Sequence, residues 1–209
     1  MFYFGICVII NNTNGLAFPI RVVIIMLEKI KAVDDNLINS VSKLHNPVLN
    51  KIMLAMTFMG DQGKVWFLVL AIILYFKRSL YIGVSFFSAL AVSWLFAEII
   101  IKRIVARVRP CHKLDEENLI LRKMPKFYSF PSSHSATSFA MCTVSLFLCG
   151  TWVTVFMFLI ALGISFSRFY LQAHYLTDVV CGILLGIIIA ILAVKITAMI
   201  MSPIVPVIK

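Results

Sequence analysis

The chain has 209 residues, is 61% hydrophobic and only 13% charged, and has a mean hydropathy of +0.99. Soluble domains carry about 25% charged residues, so a soluble globular fold is excluded and a membrane-embedded helical protein is indicated. The formal net charge is +10, but the basic residues flank apolar segments, which argues against nucleic acid as a partner.

The length suits one compact bundle. Residues 1–26 form no coherent span: Met1–Ile10 is apolar but short, Asn11-Asn12-Thr13-Asn14-Gly15 interrupts it, and Leu16–Met26 contains Pro19 and Arg21. A span needs about 20 apolar residues. This segment is expected to be dispensable, leaving residues 27–209 as a single membrane-embedded domain. Residues 27–45 read as an amphipathic helix, with Leu27, Ile30, Val33, Leu37, Ile38, Val41 and Leu44 on one stripe and Glu28, Asp34 and Asp35 among the polar positions. Such a helix can lie in the interface plane. Asn46-Pro47 breaks it, and a second apolar piece, Val48–Met59, ends in the turn Gly60-Asp61-Gln62-Gly63.

The first span is read at Val65–Phe76, with Lys64 and Lys77 snorkelling at its ends. Leu80–Ile101 is the second and carries one acid, Glu98. No charge occurs from Ser135 to Ser167, room for two short helices turning at Cys149-Gly150-Thr151, and the last span is Thr177–Met201. The expected fold is all-α: a polytopic helical membrane bundle of five spans, or six if residues 1–26 cross, preceded by the amphipathic helix. None of the five cysteines shows metal-ligand spacing, so neither a disulfide framework nor a structural metal is suggested.

Three polar islands interrupt this sequence: Lys102–Pro110, Phe130–Ser135 and Ser167–Asp178. Charged groups near a bilayer are costly and point to function. Counting crossings places all three on one membrane face. Between Lys102 and Lys126 eight cations oppose three acids, a surplus suited to an anion. Lys102 and Arg109 lie seven apart, two helical turns, on one expected stripe that Pro110 ends. Glu98 stands four before Lys102 and could neutralise and aim it. Pro131-Ser132-Ser133-His134 opens a helix whose free N–H groups and dipole favour an anion, with Ser132 or Ser133 as N-cap. His174 and Asp178 are four apart, so one helical turn stacks them, and the carboxylate would make the histidine a nucleophile or base. Together these parts fit phosphoryl transfer. Three cations hold the phosphate, one histidine attacks phosphorus and another protonates the leaving oxygen. No acidic metal cage is present, so the cations would do the work of a magnesium ion.

Lys102-x6-Arg109-Pro110, Pro131-Ser132-Ser133-His134 and Ser167-Arg168-x5-His174-x3-Asp178 resemble the three-part signature of the type 2 phosphatidic acid phosphatase family. The resemblance covers residues 102–178. It implies a helical membrane bundle and a metal-independent, cofactor-free phosphatase. Lys102, Arg109, Ser132, Ser133 and Arg168 would hold the phosphate, His174 would form a phosphohistidine, His134 would be the general acid, and Asp178 would orient His174. Ser133 stands where the family usually has glycine, which is tolerable if the backbone there has negative φ. The implied substrate is a lipid phosphate or pyrophosphate, with undecaprenyl pyrophosphate ahead of phosphatidylglycerol phosphate and phosphatidic acid. The implied location is the bacterial plasma membrane with the site facing outward, and the implied partners are membrane lipids. A lipid phosphotransferase is the alternative enzyme. A channel or transporter is the alternative outside enzymes, disfavoured because the charges cluster at one face.

Overall fold

The computed structural model describes the backbone of residues 18–114, 119–121, 124–125 and 128–202, and the side chains among these from residue 25 onward. Met1–Ile10 and its expected lack of a span lie outside the described residues. The helices are α1 (Phe18–Ser42), α2 (Pro47–Gly60), α3 (Lys64–Lys77), α4 (Leu80–Trp94), the short α5 (Lys102–Val105), α6 (Ser133–Leu148), α7 (Thr151–Tyr170) and α8 (Leu176–Met201). A π-helical stretch, Leu95–Ile101, joins α4 to α5. No strand is assigned among the described residues.

Four stretches are long and apolar enough to cross a membrane: Pro47–Lys77, Leu80–Lys113, Thr151–Tyr170 and Leu176–Met201. Two differences from the expected five follow. The Val48–Met59 piece and the Val65–Phe76 span belong to one 31-residue stretch, kinked at Asp61–Gly63. The helix α6 has only 16 residues, about 24 Å at 1.5 Å per residue, and is not among the four stretches, although it runs from the cavity at one end to the Lys77 end of the bundle. It is the central post, packed against α8, α7 and α4 and buried along most of its length. Its approach to α8 is close because α8 carries Gly182 and Gly186 there. A Cβ on Gly182 would stand 2.5 Å from the Ser132 carbonyl oxygen, and one on Gly186 would overlap that of Ala136. Small residues that let backbones meet are the usual device for packing helices in lipid.

The turns follow the sequence. Asn46 caps α2 by accepting from Leu49 N–H at 2.9 Å, with Pro47 in the first turn. Arg78 ends α3 in the left-handed region and Ser79 caps α4. Gly150 turns between α6 and α7 at φ +92°. Trp66 and Phe86 are fully buried inside, whereas Phe76, Phe156, Leu184, Ile188 and Ile196 face outward, the apolar exterior a bilayer requires.

The N-terminal helix differs most from expectation. It begins at Phe18, not residue 27, and Leu27, Ile30 and Val33 are exposed. Among the described side chains it docks through Ile38 and Val41, against Phe169, Tyr170, Leu171 and Tyr175. Asp34, read as a polar surface position, is completely buried.

Candidate active site

The chain breaks its helices at one end of the bundle to build a cavity of about 1030 Å³. Lys102, Arg109, Ser133, His134, Arg168 and His174 line it, together with Glu98, Asp61, Lys51 and Lys64. Six of the eight residues expected from sequence therefore meet in one cavity, drawn from all three polar islands of the chain.

Lys102 is 2% exposed and pairs with Glu98, as the four-residue spacing suggests, while its Nζ lies 3.4 Å from Ser133 Oγ. Arg109 arrives by a different route than expected. The helix stops at Val105 because Ala106 takes the left-handed conformation (φ +50°), four residues before Pro110. Arg109 thus stands on extended backbone, not on a helical stripe with Lys102. That strand-like segment is tied down by Ser129 N–H to the Arg107 carbonyl (2.8 Å) and Cys111 N–H to the Gln172 carbonyl (3.0 Å).

Ser132 is the N-cap of α6 and is fully buried. Its hydroxyl meets Ser135 N–H at 3.4 Å and Ser135 Oγ at 3.0 Å, and its own N–H donates to the Asp178 carbonyl at 3.0 Å. It lies behind the cavity lining rather than in it. Ser133 begins the helix and is not among the residues with positive φ, so serine in place of glycine demands no strained backbone.

The third island folds onto Arg168. Its carbonyl accepts from both Ala173 N–H (3.0 Å) and His174 N–H (3.1 Å), with Gln172 at φ +55° making the bend. The Arg168 guanidinium donates to Thr57 Oγ1, and its buried Nε has no hydrogen-bond partner among the described residues. An unpaired buried donor is costly, and an anion in the cavity would satisfy it.

The protonation of His174 can be read from its partners. Nδ1 lies 2.7 Å from the Ser129 carbonyl oxygen, which can only accept. Nε2 lies 2.9 Å from Arg109 Nη1, which can only donate. The neutral ring therefore carries its proton on Nδ1, and Nε2 has a free pair. Burial, followed by the cations Arg109, Arg168 and Lys102 and the neighbouring His134, holds this imidazole well below its ordinary titration range.

Asp178 was expected to orient His174 directly. Its Oδ2 is 3.7 Å from Nδ1, and the Ser129 carbonyl holds the closer position. The carboxylate is engaged elsewhere, by Arg107 Nη1 at 2.6 Å and by Tyr175 N–H at 3.0 Å in a capping box that starts α8. Arg107 also binds Asp34 at 2.7 Å and covers the Tyr175 ring at 3.9 Å. Asp34 in turn accepts from Thr177 N–H at 3.2 Å. This buried chain fixes the loop that carries His174.

Sequence reading missed four contributors. Ser129 acts through its backbone and gives no side-chain signal. Arg107 was counted only as charge. Asp34 was taken for a solvated position. Asp61 Oδ1 lies 3.0 Å from His134 Nε2 but was read as part of a turn, although an acid in so apolar a stretch is itself a signal. Among the described residues no group of three or more His, Cys, Asp or Glu could hold a metal.

Comparison with known proteins follows the same lines. An undecaprenyl-diphosphatase of Sulfolobus acidocaldarius is 31% identical over 143 residues, 68% of either chain. A lipid A 4'-phosphatase of Bacteroides thetaiotaomicron is 28% identical over 174 residues, 77% of this chain and 75% of that one. The crystal structure of Aquifex aeolicus LpxE superposes with a TM-score of 0.65 at 25% identity, covering 77% of this chain and 93% of that one. A PAP2-type phosphatidylglycerolphosphate phosphatase from Bacillus subtilis shares the fold, with a TM-score of 0.68 at 22% identity over 82% of this chain and 88% of that one. The PAP2 superfamily model matches residues 79–202, which include every residue of the three islands, and the chain belongs to that superfamily as an integral-membrane phosphatase.

Proposed function

We propose that this phosphatase acts without a metal on a lipid phosphate or pyrophosphate, undecaprenyl pyrophosphate before phosphatidylglycerol phosphate or phosphatidic acid, through a phosphohistidine on His174. The observation that carries this reading is the free pair on His174 Nε2, buried beside three cations. When a phosphate enters, Arg109 exchanges its bond to Nε2 for one to a phosphate oxygen and frees the nucleophile. Lys102, Arg168 and the N–H groups opening α6 take the remaining oxygens. Nε2 forms a bond to phosphorus, and the bond to the leaving oxygen breaks with its pair on that oxygen, which takes a proton from the His134 imidazolium. Water then attacks phosphorus and returns a proton to His134, and the His174–phosphorus bond breaks with its pair on nitrogen. Fixed cations supply the charge stabilisation a metal would otherwise give, so activity persists in EDTA.

Two observations favour a diphosphate. The cavity gathers five cations, Lys51, Lys64, Lys102, Arg109 and Arg168, against the two acids Asp61 and Glu98, so a multiply charged headgroup is matched best. A relative that is 31% identical is an undecaprenyl-diphosphatase. We place the enzyme in the bacterial plasma membrane with the cavity facing outward. The test compares kcat/KM on the three lipids in one detergent; a clear preference for phosphatidic acid removes the diphosphate assignment. The side is tested with Lys113→Cys, an exposed position on the site face; the native Cys111 nearby is fully buried and unsuitable. A membrane-impermeant thiol reagent labels this variant in intact cells if the site faces outward. Labelling only after permeabilisation reverses the orientation.

A further inference from the structure

Asp61 lies outside the residues matched to the superfamily, yet its carboxylate contacts His134 at 3.0 Å and lines the cavity. The backbone is built to bring it there. The helix α2 stops at Gly60, Asp61 turns out of it at ψ 127°, and Gln62 and Gly63 follow at φ +56° and +69°. Two consecutive left-handed residues, one of them not glycine, are uncommon and cost energy. Gly60 permits the approach: a Cβ there would stand 2.9 Å from His134 Cδ2 and 2.8 Å from Ile164 Cγ2. One turn earlier, Thr57 accepts from Arg168, so α2 is anchored to the cation cluster itself.

The chemistry supplies a reason for this construction. A general acid must hold a proton until the leaving oxygen needs it. The charged and titratable groups facing His134 are Asp61 from the kink after α2, Arg168 from α7, Lys102 from α5 and His174 from the loop before α8. Two of these are cations that repel an imidazolium, one is a neutral imidazole, and Asp61 is the anion among them.

We propose that Asp61 is the positioning residue of His134. Its carboxylate accepts the Nε2–H bond, fixes the ring, and offsets part of the repulsion of Arg168 and Lys102 whenever the imidazolium forms. The inference rests on the phosphohistidine reading above. In the transfer step the imidazolium gives one of its two ring protons to the departing oxygen and becomes neutral, while Asp61 remains a carboxylate throughout. The arrangement carries a cost, since a carboxylate in the cavity repels the phosphate dianion.

These two effects give Asp61→Asn a signature that a merely structural residue would not produce. On the lipid diphosphate kcat falls, by at most the roughly 10²–10⁴-fold that loss of a general acid costs. On an aryl phosphate, whose leaving group needs little protonation, it falls much less. Vanadate, which mimics five-coordinate phosphorus, binds several-fold more tightly because a like charge has gone. Asp61→Glu keeps the charge and recovers part of the lost kcat. Equal losses on both substrates, weaker vanadate binding, or no loss at all overturn the proposal. His134→Ala, measured in parallel, separates the two readings. If it shows the leaving-group dependence and Asp61→Asn does not, only the role of Asp61 fails. If neither shows it, His134 is not the acid and the proposed mechanism fails with it.

Discussion

At the scale of single residues, the decisive feature is the environment of one imidazole. His174 is 1% exposed and lies among Arg109, Arg168 and Lys102. Burial and those cations disfavour its charged form, which lowers its pKa. A lowered pKa keeps Nε2 unprotonated as the pH falls, so the proposed nucleophile survives into mildly acidic solution. The acid limb of kcat/KM that belongs to His174 therefore lies below the ordinary histidine value of about 6.5. Arg109→Gln removes the nearest cation and moves that limb upward, besides weakening phosphate binding. A pH–rate series on both proteins checks this, and a limb unmoved by the substitution would separate Arg109 from the titration. Ser133→Gly, by contrast, removes the 3.4 Å contact from Lys102 and the hydroxyl's hydrogen bond to Glu98, each worth about 1 kcal/mol, or roughly fivefold.

At the scale of elements, the site depends on how closely α8 meets α6. Gly186→Leu places a side chain against the Ala136 carbonyl, and rigid backbone cannot yield as a flexible side chain can. Overpacking of this kind costs about 1–3 kcal/mol, read as a lower melting temperature in detergent. Gly83→Ala is the contrast, since its Cβ would meet only the Leu74 side chain at 3.2 Å; an equal drop in both variants would show that close backbone approach is not what matters. The helix α1 gives a second prediction. Among the described side chains, those from residue 25 to residue 33 are exposed, whereas Asp34 anchors Arg107 and Thr177. A chain beginning at Met26 keeps its activity. One beginning after Asp34 loses it, because Arg107 and Thr177 lose the buried carboxylate that both of them bind. Activity lost already on truncation to Met26 would show that residues 1–25 are required.

These elements also show what could be read from the sequence and what could not. The island residues were legible because charge is rare in this chain, and each of its few polar groups stands out against apolar neighbours. Caps and turns at Asn46, Ser79 and Gly150 were legible because their chemistry is local. The end of the helix before Arg109 was not: Ala106 carries no stop signal, and its left-handed turn is fixed by the strand-like pairing of residues 107–111 with distant partners. Nor could the sequence separate Ser129 from Asp178 as the partner of His174. Four-residue spacing names the carboxylate, but Arg107 and the start of α8 had already engaged it. Asp34 was misplaced because amphipathic periodicity describes which face is polar, not whether that face meets water or a buried arginine.

At the scale of the whole molecule, the bundle brings the candidate site residues to one end and leaves its flanks apolar. The stretches Pro47–Lys77, Leu80–Lys113 and Thr151–Tyr170 contribute to the cavity lining, and α6 runs from His134 to the opposite end, where Cys149 and Lys77 meet around a second, apolar recess. A lipid can keep its chains in the bilayer while its headgroup reaches the cations, and this gives a soluble sugar phosphate no comparable advantage. The central claim is that phosphorus passes through His174 before it reaches water. The stereochemical course of hydrolysis, followed with an isotopically chiral thiophosphate substrate, tests it most directly. Two successive in-line displacements, one by Nε2 and one by water, predict retention of configuration at phosphorus. Inversion would mean that water attacks the substrate in a single step, and would contradict the account.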